Sequence, residues 1–314
     1  MPEGHSVHRI AHQFQSDFVG QEIEISSPQG RFTPGAQLIT GQRMIAATAV
    51  GKHLFLDFAN DLTLRVHLGI YGAWDFAGEL TRIGTTYAAG HTSIGAPRVV
   101  RAIHVGEEEQ EKPAAPAAPQ EEAFPPAPVG AVRARLLTPT AVADLRGPTA
   151  CEVINKTEVG VVLKRLGPDA ANEPGAQSED RIVELIHKRQ VPIARLLMDQ
   201  AIMAGIGNIY RAEMLFRARL DPFVPGARLQ EETIRALWRD WVGLLNIGIE
   251  TGRMMTRGDL TPEQFEQALS DESIRYWVYG RHNEPCRVCG TDIAMELMSA
   301  RKLYWCPHCQ QGRK

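Results

Sequence analysis

HLFLDFANDLTLRVHL, residues 53–68, carries two runs of alternating apolar and polar side chains with a turn between them. Leu54, Leu56 and Phe58 share one face of the first run, Leu62, Leu64, Val66 and Leu68 one face of the second, and "ANDL" supplies the turn. A period of two over this length predicts a β-hairpin with one face on a core. The alternation extends over residues 43–76, and further strands are expected at 98–105, 132–138 and 142–145. Many short strands in one half of a chain read as a β-sandwich. Upstream, "VHRIAHQF" places Val7, Ile10, Ala11 and Phe14 on one helical face. His5, His8 and His12 fall opposite at i, i+3 and i+7, where a solvated polar face is expected.

Downstream of the strands, residues 106–130 contain six prolines and six alanines and bury little, so they read as a flexible insertion between two strands. "LGPDAANEPGAQ" then breaks the periodicity, and the pattern turns helical over 181–188, 193–199, 208–217 and 231–249. The expected organisation is α+β in two domains. A β-sandwich flanked by helices occupies residues 1–165, a linker 166–180, a helical domain 181–275 and a cysteine-rich element 276–314.

Four of five cysteines form Cys286-x2-Cys289-x16-Cys306-x2-Cys309. Two such knuckles turn four thiolates toward one point, the pattern of a tetrahedral structural zinc site, with one Zn2+ expected per chain. Two disulfides would need an oxidising compartment. The first residues lack the basic and apolar regions of a signal peptide, and no apolar run reaches the ~18 residues of a membrane span. A cytoplasmic monomer is therefore expected. The net charge of −3 argues against nucleic acid until it is divided: residues 106–130 carry −5, and the rest of the 314-residue chain +2.

Four features carry possible chemistry. Removal of Met1 would expose Pro2 as a secondary amine, with an ordinary pKa of about 8, beside Glu3 as a proton carrier. Pro2 would equally be read as a processing signal ahead of a helix. In "MAGIGNIYRAEMLF", Gly205 and Gly207 turn the chain and Asn208 begins a helix whose N–H groups suit a phosphate, although a plain helix-to-helix turn explains the same residues. Lys52 starts a strand after Gly51, and Ile70-Tyr71 stands between Gly69 and Gly72 as a wedge for a base stack or as an exposed hairpin end. Arg301 lies between the knuckles of a finger in which residues 281–314 hold six bases against three acids. A metal hydrolase using His5, His8 and His12 is a third reading, weakened because no acid or cysteine joins them at ligand spacing.

"MPEG", "GKHL", "HLGIYG", "LGPD", "MDQAIMAGIGNIYRAEMLF" and "YGR…PCRVCG…R…YWCPHCQ" occur in an order that resembles the formamidopyrimidine-DNA glycosylase/endonuclease VIII family over nearly the whole chain, most like actinobacterial members of its endonuclease VIII branch. The resemblance implies a base-excision-repair DNA glycosylase with AP-lyase activity, acting at the bacterial nucleoid. Its fold would be a β-sandwich, a helix-two-turn-helix domain and a zinc finger around a DNA cleft. It implies Pro2 as nucleophile and Glu3 as acid/base, with Lys52, His67, Asn208 and Arg301 gripping phosphates and Ile70 and Tyr71 filling the vacated stack. β,δ-Elimination through a Schiff base on Pro2 would follow. Ser6 stands where the family often has a second glutamate, and no Arg-x-Phe wedge is present, which points to oxidised pyrimidines or abasic sites. A non-catalytic protein that binds damaged DNA is the alternative.

Overall fold

The computed structural model describes residues 2–83, 91–95 and 124–311. In chain order it contains α1 (Gly4–Asp17), β1 (Glu22–Ser26), α2 (Thr33–Ile39), β2 (Gln42–Val50), β3 (His53–Phe58), β4 (Leu62–His67), β5 (Ala73–Gly78) and β6 (His91–Gly95). There follow β7 (Val132–Leu137), β8 (Ala141–Arg146), β9 (Ala150–Asn155), α3 (Lys156–Leu163), α4 (Ala176–His187), α5 (Ile193–Leu196) and α6 (Asn208–Arg217). The chain ends with α7 (Glu231–Thr251), α8 (Pro262–Ser270), β10 (Ala294–Met298) and β11 (Arg301–Trp305). The strand expected at 98–105 and most of the insertion lie outside the described residues, and the described strands on either side are β6 and β7.

Residues 53–68 form the predicted hairpin: β3 and β4 pair antiparallel with Leu54 opposite Val66 and Leu56 opposite Leu64. All four are buried, each contributing about 1.5–3 kcal/mol by leaving water. Phe55 points to the other face and is buried as well, so both faces of β3 are covered there. Nine strands join in the order β6-β5-β8-β7-β1-β2-β3-β4-β9. β1 links the two halves, since Glu22 and Ile23 pair with β2 while Glu24, Ile25 and Ser26 pair with β7. The sandwich is thus one continuous ladder whose halves share a single core. Phe14 of α1 reaches into that core against Trp74 and Phe76, at ring-centroid distances of 4.9 and 5.2 Å.

A second core forms around α4 to α7, with Trp238, Trp241, Tyr210 and Leu215 at its centre. α4 starts inside the stretch read as linker, and Leu166 to Ala170 are buried rather than exposed. β10 and β11 form a two-stranded hairpin, pairing Met298 with Arg301 across Ser299 and Ala300. Cys286, Cys306 and Ile293 of this finger pack with Ala212 and Phe216 of α6, so the finger is part of the helical body.

The histidine face of α1 departs from expectation. His5 and His8 are 4% and 5% exposed, and only His12 is exposed, because α1 is covered by both bodies and not by one. His5 meets the edge of Tyr210 at 5.7 Å, and His8 Nε2 lies 2.9 Å from the Asp169 carboxylate. An acid does join the stripe, but it comes from 161 residues away and meets one histidine. Among the described residues the four cysteines alone form a group of three or more His, Cys, Asp or Glu that could hold a metal.

Candidate active site

The site is assembled where the first residues of the chain meet α6. Gly205 has φ +95° and turns the backbone so that its carbonyl accepts from Gly4 N–H at 2.9 Å. This docks the N-terminus of α1 on the helical body and directs Glu3 at the start of α6. Glu3 is fully buried: Oε2 accepts from Gly207 N–H at 2.8 Å and Oε1 from Ile209 N–H at 2.9 Å. A carboxylate in that position satisfies helix N–H groups that have no partner within the helix and faces the positive end of its dipole. The helix start read as an open phosphate site is therefore taken by a side chain of the protein. Gly207 is required for the approach, since a Cβ there would lie 2.3 Å from Glu3 Cδ. Pro2, next to this anchored residue, is itself buried.

Two cations, Lys52 and Arg211, feel the carboxylate, and Arg301 acts on both of them. Burial lowers the Lys52 pKa, the nearby Glu3 opposes that shift, and Arg301 adds to it. Arg211 is fully buried and brought down to about 10, first by burial, with Glu3 and Tyr279 opposing and Arg301 reinforcing. Burial, Glu3 and Tyr304 push the Tyr279 hydroxyl up to about 12, so it remains protonated and able to donate. Lys52, Arg211 and Arg301 against one carboxylate make this pocket locally cationic although the chain as a whole is −3. An anion entering it would meet a surplus of positive charge in a poorly solvated place.

His67 lies beside Lys52. Its pKa is lowered by burial, then by Lys52 and Arg65, which leaves the ring neutral near pH 7. Gly69 N–H donates to His67 Nδ1 at 3.2 Å, so the remaining proton sits on Nε2 as a donor. His67 would therefore offer a phosphate a hydrogen bond and not a charge. Asn208 is 4% exposed; its Nδ2 donates to Lys302 carbonyl at 2.9 Å and its Oδ1 accepts from Arg211. Arg211 reaches the same carbonyl at 3.2 Å. Asn208 thus ties α6 to β11, the strand that begins with Arg301.

Ile70 and Tyr71 occupy the β4–β5 loop. Gly69 has φ +67°, and a Cβ there would strike Thr149 Oγ1 at 1.8 Å, so the loop is pressed against the 147–149 turn. Ile70 is half-buried, whereas Tyr71 is 70% exposed, an aromatic ring held out on a fixed turn. At the finger tip, Ser299 and Ala300 have φ of 52° and 59°, a two-residue turn with both central residues in the left-handed region. It delivers Arg301 as the first residue of β11. The four cysteine Sγ atoms lie within 4.8 Å of one another, with Cys286–Cys309 at 3.9 Å and Cys289–Cys306 at 3.4 Å. Zn–S bonds of about 2.3 Å in a tetrahedron require S–S separations near 3.8 Å, so the residues fit a zinc ion held by four thiolates.

Asp169, Arg211 and Tyr279 belong to this region and have no role assigned from the sequence, whereas His8, read there as a possible metal ligand, belongs to it as the partner of Asp169. The "LGPD" stretch containing Asp169 reads from the sequence as a break in periodicity and as one of the motifs of the family resemblance, with no role for Asp169 itself. Ser6, in the place of a family glutamate, pairs with His5 Nε2 at 3.1 Å.

Residues 1–115 match the family described as the formamidopyrimidine-DNA glycosylase N-terminal domain. Residues 166–259 match the formamidopyrimidine-DNA glycosylase H2TH domain, and residues 283–312 a zinc finger found in FPG and IleRS. "Endonuclease 8 1" of Mycobacterium tuberculosis is 37% identical over 314 residues, covering 99% of this chain and 100% of that protein. Endonuclease 8 of Pectobacterium carotovorum is 26% identical over 319 residues, with 99% and 100% covered. Among solved structures, the complex between Lactococcus lactis Fpg and DNA containing an abasic site superimposes with a TM-score of 0.68 at 21% identity, covering 98% of this chain and 99% of that one.

Proposed function

This chain belongs to the formamidopyrimidine-DNA glycosylase/endonuclease VIII family, and from that premise we propose that it is a DNA glycosylase with AP-lyase activity whose nucleophile is the amine of Pro2. The observation that supports the reading best is the seat of Glu3. Two backbone N–H bonds at the start of α6 fix the residue next to Pro2 within electrostatic reach of Lys52, which in turn feels Arg301.

A base inside a duplex hides C1′, so the nucleotide must leave the stack; the exposed Tyr71, with Ile70, fills the gap in this reading. The Pro2 nitrogen attacks C1′, the glycosidic bond breaks and the base departs with a proton. The amine loses its proton to Glu3, and as the C1′–O4′ bond opens O4′ takes a proton from Glu3, which leaves an iminium between Pro2 and the sugar bearing a free 4′-hydroxyl. The iminium withdraws electrons from C2′; removal of a C2′ proton expels the 3′ phosphate, and a second elimination expels the 5′ phosphate. Water then releases Pro2. Glu3 has lone pairs beyond the two engaged by N–H groups and carries the protons. Lys52, Arg301 and His67 Nε2–H hold the phosphates, while Asn208 and Arg211 hold the strand that presents Arg301. The zinc ion is structural, since four thiolates leave no coordination position for water. The Ile70-Tyr71 loop and the absence of an Arg-x-Phe wedge favour oxidised pyrimidines and abasic sites as substrates. The enzyme works on DNA as a monomer.

Borohydride trapping on abasic and oxidised-pyrimidine duplexes tests the assignment. The mature protein should form a covalent adduct, and a variant with its amino terminus extended by one residue should not. Equal trapping by both would remove Pro2 from the mechanism, and tight abasic-site binding without trapping would leave a damage-binding protein instead.

A further inference from the structure

Lys52 is the second residue of the β2–β3 turn, and a short turn on an antiparallel hairpin does not by itself fix where its side chain points. Here the turn is gripped from the helical body. Gly51 N–H donates to Asp169 Oδ2, the same oxygen that meets His8 Nε2 at 2.9 Å. Asp169 Oδ1 accepts from Ala171 N–H at 2.8 Å and Asn172 N–H at 3.3 Å, which fixes the rotamer of the carboxylate. Asn172 Nδ2 donates to Ala49 carbonyl at 2.8 Å, so the end of β2 is held at two points, Ala49 and Gly51. Gly51 has φ +60°, and a Cβ there would come within 3.0 Å of Ala204 Cβ and 3.1 Å of Gly205 N. The turn therefore rests on the loop that also receives Gly4 and leads into Gly207. Asp169 is 1% exposed, and a buried carboxylate with this many fixed donors is costly unless each is used.

We propose that Asp169 is the positioning residue for Lys52, with His8 orienting its carboxylate and Asn172 bracing the end of β2 at Ala49. One rigid turn then sets Lys52, while Pro2 and Glu3 are docked separately by the Gly4 N–H bond to the Gly205 carbonyl. The proposal rests on the role given to Lys52 above. Asp169→Asn keeps the size of the side chain. Its oxygen can serve Ala171 and Asn172, but its NH2 then faces the Gly51 N–H, donor against donor, and the turn is released.

The test is a double-mutant cycle read by single-turnover cleavage of abasic duplex, with Lys52→Ala, Asp169→Asn and the pair. A displacement of about 1 Å at a reacting group costs on the order of 100-fold in rate, so Asp169→Asn should slow the intact enzyme by roughly 10- to 100-fold. In the Lys52→Ala background the same change should cost less than about twofold, because residues that act through one another are not additive. Asn172→Ala, which removes an exposed brace, should give a smaller loss that also disappears in the Lys52→Ala background; it keeps the test open if Asp169→Asn folds poorly. Equal losses in both backgrounds, or full activity of Asp169→Asn in the intact enzyme, would overturn the proposal. Full activity of Lys52→Ala would instead overturn the role of Lys52 on which it rests.

Discussion

Gly207 has ordinary backbone angles, so its requirement is steric: the Glu3 carboxylate lies where a Cβ would be. Gly207→Ala should displace Glu3 and forfeit two hydrogen bonds to a charged group. Single-turnover cleavage of abasic DNA is expected to fall 100-fold or more with zinc content unchanged. His5 makes a separate prediction. Burial, then Arg9, lowers its pKa to about 3, below the 6.5 of an unfolded chain. The unfolded state therefore takes up a proton that the folded state refuses, and stability falls as pH drops below about 6.5, by roughly 1.4 kcal/mol per unit. His5→Phe keeps the packing on Tyr210, and the drop in Tm between pH 7.5 and 5.5 should shrink; an unchanged drop would place the acid sensitivity elsewhere. At this scale the sequence was legible where neighbours in the chain are neighbours in the site, as with Pro2 and Glu3. His8 and Asp169 were not, because 161 residues separate them and neither lies in a pattern that names the other.

The hairpin of β3 and β4 and the helix α6 follow directly from their periodicities, and α6 spans the predicted residues 208–217. β1 was overlooked although "EIEIS" alternates cleanly, because five residues give a weak signal on their own. The helix α3 was also missed, despite a capping box between Asn155 and Glu158, since its residues form no buried face. The finger hairpin carries a strained turn: Ala300 sits at φ 59°, which disfavours any L side chain. Ala300→Gly should raise stability by up to about 1 kcal/mol in thermal melting, and an unchanged or lower Tm would show that the strain is relieved by other contacts. Zinc chelation should act on the same element. With the thiolates released, Arg301 loses its placement and DNA cleavage should be lost, returning when Zn2+ is restored; retained cleavage by metal-free protein would separate the finger from the site.

Across the whole molecule, α1 is the member that joins the two bodies. Its Phe14 lies in the sandwich core, and Arg9 donates to Ile249 carbonyl at 2.6 Å and Glu250 carbonyl at 3.1 Å at the end of α7. His8 reaches Asp169 and Glu3 caps α6, so the amine end of the chain is fixed by contacts with the helical body. Periodicity assigned α1 to one core and could not show that its polar face meets a second. Charge is also organised at this scale. Residues 106–130 carry −5 in a chain of −3, so replacing their six glutamates with glutamine should speed association with DNA at low salt. The gain should vanish at high salt, where charges are screened within a few ångströms. A rate unaffected at low salt would mean that the acids lie beyond electrostatic reach of the DNA. The central claim is that the Pro2 amine is the nucleophile, and peptide mapping of the borohydride-trapped adduct by mass spectrometry tests it most directly. The account predicts a sugar remnant on an amino-terminal peptide that begins at Pro2, and a remnant on Lys52 or any other lysine would contradict it.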